Sequence, residues 1–281
     1  MKHIPVLLSA VLDALGDISG KHIVDCTFGA GGYTRAFLER GAAVTAFDRD
    51  PNVLVDVEKF KTEFGDRFNF IPKPFSNLAE VSGPFDAIVF DLGISSMQID
   101  IPERGFSFRA DAPLDMRMSE QGTTAAQLIA ESDVNDLANI LREYGDVRKA
   151  TILARAMKDT LPQTTFELRD LIHNPKDIAP VFQALRIAVN DEMGEVRRAL
   201  EAVPDLLNAG GKCICVTFHS LEDRIVKNTF RNWTTVPGDP RLPTVGIAPF
   251  VAIKTALPTQ QELDENPRAR SAHMRGVIKS Y

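Results

Sequence analysis

Short apolar runs alternate with amphipathic stretches through the first hundred residues of the chain. The apolar runs cover residues 22–26, 43–47, 68–71 and 85–90, and the amphipathic stretches cover residues 33–40 and 52–64. The runs lack an alternating polar face, which is typical of strands in a parallel sheet covered by helices on both sides. We therefore predict an α/β fold with a doubly wound, mostly parallel sheet.

A different pattern begins near residue 110, where strand signals cease. Apolar residues at helical spacing predict a helix over 134–144, with Ser132 as the N-cap and Gly145 as the stop signal. Further helical patterns follow it without an intervening strand. This part of the chain is predicted to be an all-helical insertion that covers residues 109–187.

The chain is predicted to return to the sheet after this insertion. An apolar stripe from Phe182 to Leu200 predicts one long helix, which Pro204 should kink or end. The α/β domain is therefore discontinuous and covers residues 1–108 and 188–281. Its remaining predicted elements are a buried strand over 212–218, a loop over 234–249, and short strands over 251–253 and 277–278.

The composition is that of an ordinary globular protein, with 44% hydrophobic and 25% charged residues in 281. This excludes a disordered, collagen-like or coiled-coil chain as the main architecture. No apolar run approaches the roughly 18 residues of a membrane span, and residues 1–15 are interpreted as mature protein. The formal net charge of −6 means that any contact with nucleic acid must be local.

The three cysteines argue against a secreted disulfide scaffold. Cys213 and Cys215 alternate with Ile214 in an apolar run, so we interpret them as small buried residues rather than as redox groups or metal ligands. No C-x-x-C is present, and the five histidines lack zinc spacing. We predict a cytoplasmic chain without a metal site.

A glycine-rich loop follows the first predicted strand, and Asp48 ends the second strand 19 residues after Gly29. A carboxylate at that place accepts hydrogen bonds from the ribose hydroxyls of an adenosine, in dinucleotides and in S-adenosylmethionine alike. The dinucleotide fingerprint needs a third glycine where this chain has Thr34, which favours S-adenosylmethionine over NAD. A turn that binds nothing is the alternative. The position of Asp25 and Asp91 at neighbouring strand ends argues against it, because open α/β sheets bind ligands there.

Asp91 begins the loop after the fourth strand, where a methyl acceptor must be presented. Methyltransferases that act on the amines of cytosine or adenine usually carry an acidic or polar residue followed by Pro-Pro-aromatic at this place. The chain has Asp91-Leu92-Gly93-Ile94 instead. The chemical role of Asp91 is therefore open from the residues alone.

More specific sequence blocks span nearly the whole chain. They are HIPVLL (3–8), DCTFGAGGY (25–33), FDRDP (47–51), DLGISSMQID (91–100), RGFSF (104–108), PLDMRM (113–118), FQALRIAVN (182–190), FHSLEDR (218–224) and NPRARSA (266–272). With these blocks in this order, the chain resembles the bacterial 16S ribosomal RNA cytidine N4-methyltransferase family, RsmH, formerly MraW.

The resemblance implies a class I methyltransferase domain, S-adenosylmethionine as cofactor and a helical insertion that helps to bind substrate. It implies a cytidine of the small-subunit decoding region, near the P site, as the methyl acceptor. The cofactor contacts that it implies are Gly31, Gly32, Tyr33, Asp48, Phe75, Asp91 and Gln98. Tyr33 stands where the family usually has His. This change leaves a cofactor contact through the backbone intact, whereas a contact through the side chain can be lost.

Three further residues are candidates for the acceptor site. Asp115 and Asn190 are hypothesised to hydrogen-bond a flipped cytosine. His219 ends the fifth strand and borders the acceptor pocket in one interpretation. In the other, Ser220 simply caps the following helix, with Asp223 in its first turn. A Ser-His nucleophile is disfavoured, because adjacent residues that leave a strand point opposite ways and no G-x-S-x-G elbow is present.

Candidate RNA contacts lie in two places. Guanidinium and aromatic side chains are mixed just after the Asp91 loop, at Arg104, Phe106, Phe108, Arg109 and Arg117. Such a surface suits a splayed-out base, although the two Phe residues also suit a packed core. Residues 266–281 contain Arg268 and Arg270 and no acid, and either bind phosphates or form a solvated face.

The residues and the resemblance together predict an RNA cytidine N4-methyltransferase that acts on 16S rRNA of the small ribosomal subunit. We expect neither a membrane nor a metal among its partners, and the oligomeric state, a homodimer included, is left open. The alternatives are a methyltransferase for another nucleic-acid amine, a nicotinamide oxidoreductase, and a non-catalytic ribosome-assembly factor that keeps the fold.

Overall fold

The computed structural model describes residues 5–236 and 246–281, so residues 237–245 of the predicted loop lie outside the described residues. The strands are β1 (His22–Asp25), β2 (Ala43–Phe47), β3 (Phe68–Ile71), β4 (Phe85–Asp91), β5 (Leu207–Thr217), β6 (Phe250–Ala256) and β7 (His273–Lys279). The α-helices are α1 (Leu8–Leu15), α2 (Gly32–Glu39), α3 (Leu54–Phe64), α4 (Ser96–Asp100), α5 (Ala125–Glu131), α6 (Val134–Gly145), α7 (Ala150–Thr160), α8 (Thr165–Asp170), α9 (Pro175–Asn190), α10 (Glu192–Leu206), α11 (Ser220–Trp233) and α12 (Gln260–Glu265).

The described chain forms two compact units. One contains Met1–Gly93 and Met193–Tyr281, and the other contains Ile94–Glu192. The first is the α/β unit and the second is the helical unit. The predicted division at 108/109 and 187/188 differs from these bounds, so the stretch 94–108 belongs with the helices.

The seven strands of the α/β unit form one sheet in the order β3-β2-β1-β4-β5-β7-β6. The neighbours from β3 to β5 pair in parallel, and β7 runs antiparallel to both β5 and β6. Asp25 aligns with Val89 and Asp91 aligns with Val216, so the carboxyl ends of β1, β4 and β5 meet at one edge. The predicted doubly wound sheet is confirmed.

Each face of this sheet has its own apolar core. One core contains Phe28, Phe37 and Ile23, and the other contains Phe90 and Leu200. Strands buried on both faces are those that show no polar alternation in the sequence. This explains why the apolar runs predicted the strands well.

The helical unit has a separate core around α6, α7 and α9. Phe106 is buried in it, and the rings of Phe108 and Phe182 meet edge to face with centroids 5.4 Å apart. The packed-core interpretation of these two Phe residues therefore describes them better than a base-stacking surface does.

Two local predictions are wrong at the helix ends. Asp133, not Ser132, caps α6, because its carboxylate accepts hydrogen bonds from the amides of Asn135 and Asp136. The long helix predicted across Phe182–Leu200 is broken at Asp191, which adopts a left-handed conformation with φ 47°. An apolar stripe continues across such a one-residue break, so periodicity does not reveal it.

Pro204 does not end α10, which continues to Leu206. The Nζ group of Lys279 donates hydrogen bonds to the carbonyls of Pro204 and Leu207, at 2.6 and 2.8 Å. These bonds satisfy carbonyl groups at the end of the helix that would otherwise lack a partner. A proline in the last turn is therefore tolerated here.

None of the described helices is long and apolar enough to cross a lipid bilayer. The cytoplasmic location stays a prediction.

Candidate active site

Acidic side chains converge at the carboxyl edge of the sheet. Asp25 ends β1 and is 1% exposed, and Asp91 ends the neighbouring strand β4. Glu222 lies in the first turn of α11, which follows β5, and is also 1% exposed. Three carboxyl groups on adjacent elements form what we call the carboxyl cluster: Asp25, Asp91 and Glu222.

Asp25 is held by local hydrogen bonds. Its Oδ1 accepts from the amide of Thr27 at 3.1 Å, and its Oδ2 accepts from the hydroxyl of Thr34 at 2.6 Å. Burial raises the pKa of this carboxyl to about 6, although both hydrogen bonds oppose the shift. Thr34, which replaces the third glycine of the dinucleotide fingerprint, therefore anchors the first acid of the cluster.

Among the acids of the site, Asp91 has the least stabilisation from hydrogen bonds and neighbouring charges. Its Oδ1 is buried and has no hydrogen-bond partner among the described residues. Burial, and then the charges of Asp25 and Glu222, raise its pKa well above the ordinary value. A buried carboxyl oxygen without a partner is costly, and such groups concentrate at functional sites.

Asp48 follows β2 and accepts two backbone hydrogen bonds. The amide of Gly29 donates to its Oδ2 at 2.7 Å, and the amide of Asp50 donates to its Oδ1 at 2.9 Å. Burial raises its pKa, while these two bonds oppose the shift. The carboxylate thus holds the glycine loop, and each of its oxygens keeps a second lone pair for a ligand hydroxyl.

The two glycines at the start of α2 are required by their packing. Gly31 has φ 77°, and a Cβ there would lie 2.5 Å from Cζ of Phe60. A Cβ on Gly32 would lie 2.3 Å from Cγ of Pro5. Both positions therefore need glycine, whether or not a ligand is bound.

Tyr33 points away from the loop backbone. Its hydroxyl donates a hydrogen bond to the carbonyl of Val6, and its ring is buried. Burial raises its pKa well above the ordinary value. Its side chain is therefore committed to the amino-terminal segment, which leaves the backbone as the part of Tyr33 that can contact a cofactor.

Phe75 and His219 border the same edge of the sheet. Phe75 begins a 3-10 turn after β3, and its ring meets that of Phe90 edge to face at 5.8 Å. His219 is the N-cap of α11, because its Nδ1 accepts from the amide of Glu222 at 3.4 Å. The prediction that Ser220 caps this helix is therefore wrong, whereas Asp223 does lie in the first turn.

The remaining predicted site residues belong largely to the helical unit and are engaged within it. The side chain of Gln98 completes a capping box by accepting from the amide of Ser95 at 3.1 Å. Asp115 forms a bidentate ion pair with Arg117, at 2.8 and 2.7 Å. Burial alone would raise the pKa of Asp115, but its hydrogen bonds to Arg117 and the charges of Arg117 and Arg104 together lower it.

Asn190 and Arg104 hold a turn of the helical unit in place. Asn190 donates to the carbonyl of Met116 at 2.7 Å and accepts from the amide of Met118 at 2.8 Å. Arg104 donates to the carbonyls of Arg117 and Met118, both at 2.9 Å. These contacts favour positioning roles over direct contact with a base or a phosphate.

Three predicted RNA contacts are exposed. Arg109 lies on the surface of the helical unit, and Arg268 and Arg270 lie on a 3-10 turn of the α/β unit, Pro267–Ser271. The other two cations of the basic carboxyl-terminal stretch are engaged internally. Arg275 pairs with Asp223, and Lys279 donates to backbone carbonyls. Charge along the sequence does not show which cations face inward.

Sequence reasoning missed Glu222 as a member of the site. Its Oε2 accepts from the amides of Phe218 and His219, at 2.9 and 3.3 Å. The signal was present, because Glu222 stands three residues after an N-cap position, as in a capping box. A histidine in the place of the usual Ser or Thr concealed it.

The carboxyl cluster fits a cationic ligand. Opposite charge lowers the free energy of buried carboxylates and returns their pKa values toward the ordinary range. S-adenosylmethionine carries a sulfonium and an amino group, both positively charged, next to an adenosine whose ribose suits Asp48. The described residues are thus chemically matched to this cofactor.

The strand order, with an antiparallel seventh strand inserted between the fifth and sixth, and this carboxyl edge define a class I methyltransferase. The crystal structure of a candidate rRNA methylase from Clostridium thermocellum shares the fold, with a TM-score of 0.50, 13% identity and 99% coverage of both chains.

The family model of the MraW methylase family matches residues 1–280, and the chain belongs to that family. It is 46% identical to Ribosomal RNA small subunit methyltransferase H from Chelativorans sp., over 99% of this chain and 87% of that protein. It is 42% identical to the protein of the same name from Rickettsia bellii, over 99% and 98% of the two chains. The family prediction is confirmed, and S-adenosylmethionine is the methyl donor of such a methylase.

Proposed function

We propose that the chain methylates the N4 amine of a cytidine in the decoding region of 16S rRNA, near the P site of the small ribosomal subunit. The observation that carries the proposal is the similarity to the small-subunit ribosomal RNA methyltransferases over nearly the full length of the chain. The cytidine and its N4 atom rest on the resemblance that the sequence blocks carry. The small ribosomal subunit is the partner that this function requires.

The residues of the α/β unit divide the work of binding. Asp48 accepts the ribose hydroxyls, while the backbone from Gly31 to Tyr33 contacts the methionine part of the cofactor. Phe75 offers its ring to the adenine. When bound, S-adenosylmethionine supplies an electrophilic methyl group to the acceptor amine. Alignment of the two reacting groups is the main requirement of such a transfer.

Asp91 acts at the acceptor amine. Its unpartnered Oδ1 accepts a hydrogen bond from the N4 amine and orients the nitrogen lone pair toward the methyl group. A nitrogen–carbon bond forms, the carbon–sulfur bond breaks, and the amine proton passes to a carboxylate or to solvent. The positive charge of the bound cofactor favours the ionised form of Asp91, which is the form that accepts this hydrogen bond.

The helical unit serves substrate recognition in this proposal. Asp115 and Asn190 contribute by shaping the turn at residues 115–118, since their hydrogen bonds are already made within the unit. Gln98 contributes through the capping box that orders the start of α4. Of the five predicted arginines, Arg109, Arg268 and Arg270 are the exposed ones, and in this proposal they contact phosphates.

The test is methyl transfer from labelled S-adenosylmethionine to small ribosomal subunits that lack the modification, followed by nucleoside mass spectrometry. We expect label in N4-methylcytidine, or in its 2′-O-methylated form. The variant Asp91→Asn keeps the size of the side chain and should lose about 10- to 100-fold of the rate. Cofactor binding without any methylated nucleoside would refute the proposal and favour an assembly role.

A further inference from the structure

A stripe of cations runs along the outer face of α11. Arg224, Lys227 and Arg231 follow one another at intervals of three and four residues, which places them on one side of the helix. All three are exposed, and their side chains have no ion-pair or hydrogen-bond partner in the part of the chain that the structure describes. We call these three residues the α11 stripe.

Most other cations of the α/β unit are neutralised or satisfied. Arg35 pairs with Glu63 at 2.7 Å, and Lys73 pairs with Glu80 at 2.5 Å. Lys212 donates to backbone carbonyls at 2.7 and 2.9 Å. In a chain with a net charge of −6, three neighbouring cations without an acidic partner among the described residues are a local exception.

A groove of about 220 Å³ adjoins this stripe, between α11 and the strands β6 and β7. Lys227 and Arg231 line it, together with the hydroxyl-bearing Thr234 and Thr255. None of its described lining residues is acidic. The hydroxyl of Thr234 donates to the carbonyl of Phe230 at 2.8 Å. Beside apolar side chains such as Ile253, the groove therefore offers the two cations and the hydroxyl of Thr255 to an anion.

A third cation in the groove is fixed by its partner. Arg275 lines the groove, and its guanidinium contacts both carboxylate oxygens of Asp223 at 2.7 and 2.9 Å. Hydrogen bonding to Arg275 is the main cause that lowers the pKa of Asp223. The unneutralised charge of the groove thus comes from Lys227 and Arg231.

We propose that the α11 stripe and its groove bind the phosphodiester backbone of the substrate RNA strand, outside the catalytic edge. This inference rests on the proposed function for its choice of polyanion. α11 begins directly after β5, at the edge that carries Asp91 and Glu222, and leads away from it. The stripe spans about 10 Å at 1.5 Å per helical residue, which matches a few phosphates at about 3.4 Å of rise each.

The test measures how RNA binding depends on salt. Each phosphate contact contributes a slope of about 0.7 to 0.9 in a plot of log affinity against log salt concentration. The variant Lys227→Gln/Arg231→Gln should therefore lower the slope for small-subunit ribosomal RNA by about 1.5. Its affinity should approach that of the wild type at high salt. The charge-preserving variant Lys227→Arg/Arg231→Lys should keep the wild-type slope.

The matched control removes two exposed cations elsewhere in the α/β unit. Lys21 precedes β1 at the opposite edge of the sheet, and Arg197 lies on α10; neither side chain has a partner among the described residues. Lys21→Gln/Arg197→Gln changes the net charge equally and should leave the slope unchanged. Equal losses in the two double variants would overturn the inference, because only net charge would then matter.

Methylation by the same proteins separates this inference from the proposed function. We expect the Lys227→Gln/Arg231→Gln variant to raise KM for the RNA about 10-fold at low salt, with kcat and cofactor affinity retained. If the wild-type protein methylates the subunit but the variant keeps the wild-type salt slope, the proposed role of the α11 stripe is refuted and the proposed function is not. Competition by inorganic phosphate or AMP as strong as that by RNA would also refute it, since the groove would then be a site for a small anion.

Discussion

The substitution Asp25→Asn should make the protein more stable at alkaline pH, although it removes an acid from the centre of the site. The pKa of Asp25 is about 6 in the folded chain, against 3.8 for an ordinary aspartate. The folded state therefore holds this proton more tightly than the unfolded state does. The associated stability is present below pH 3.8 and is lost as the pH rises through about 6.

The size of the effect follows from these two values. A difference of about two pKa units makes the ionised carboxyl cost about 3 kcal/mol at pH 8 and about half of that at pH 5. Asparagine avoids this cost, but it disturbs the hydrogen bond to the hydroxyl of Thr34, worth about 1 kcal/mol. We expect Asp25→Asn to raise the free energy of unfolding by about 2 kcal/mol at pH 8, and by less than 1 at pH 5.

The assay is urea unfolding of wild type and variant at both pH values. Comparing the two proteins at each pH cancels the titration of groups that the substitution does not touch. Asp13→Asn, the same acid-to-amide change on the exposed side of α1, is the matched control. If Asp25→Asn shows the same effect at pH 5 and pH 8, the carboxyl is not held at a raised pKa and the reasoning is wrong.

Three further substitutions test other parts of the site. Asp48→Ala leaves the amide of Gly29 without its acceptor and should weaken S-adenosylmethionine binding about 10-fold or more by calorimetry; an unchanged Kd would remove Asp48 from the cofactor site. Asn190→Ala should cost about 3 kcal/mol in urea unfolding, because its buried amide bonds three backbone groups. A stable but inactive Asn190→Ala protein would instead indicate direct contact with substrate. Gly32→Ala forces Pro5 to move and should lower stability by about 1 to 3 kcal/mol in thermal unfolding; an equally stable variant would show that the amino-terminal segment yields freely.

The sheet could be predicted because its strands are buried on both faces and are closed by glycines and acids. The same pattern predicts that Asp25, Asp48 and Asp91 lie at the ends of neighbouring strands. Parallel topology places these ends on one edge, so a local sequence feature becomes a spatial one. Glu222 lies in the first turn of α11, after β5, so its place beside these acids is visible only in the folded structure.

Side-chain direction could not be predicted in the same way. Arg104 and Asn190 carry polar groups typical of nucleic-acid contacts, yet both bind backbone carbonyls of the turn near Met118. Backbone carbonyls in a turn without regular hydrogen bonding need other donors. The guanidinium of a long Arg side chain or the amide of Asn can supply them. The folded structure decides which cations are used to satisfy backbone carbonyls and carboxylates. The spacing of cations in the sequence therefore does not show which of them, as on α11, have no partner among the described residues.

The carboxyl cluster destabilises the free protein, and the positive charge of the cofactor explains why such a cluster is present. A fold selected for stability alone would not bury Asp91 with an unpartnered oxygen beside Asp25 and Glu222. A positively charged ligand offsets this cost when it binds. The buried acids therefore lower the stability of the free protein but raise its affinity for the methyl donor. Once the methyl group has left, the sulfur of the product is neutral and this attraction is weaker. The same three acids that favour binding of the methyl donor therefore favour release of what remains of it.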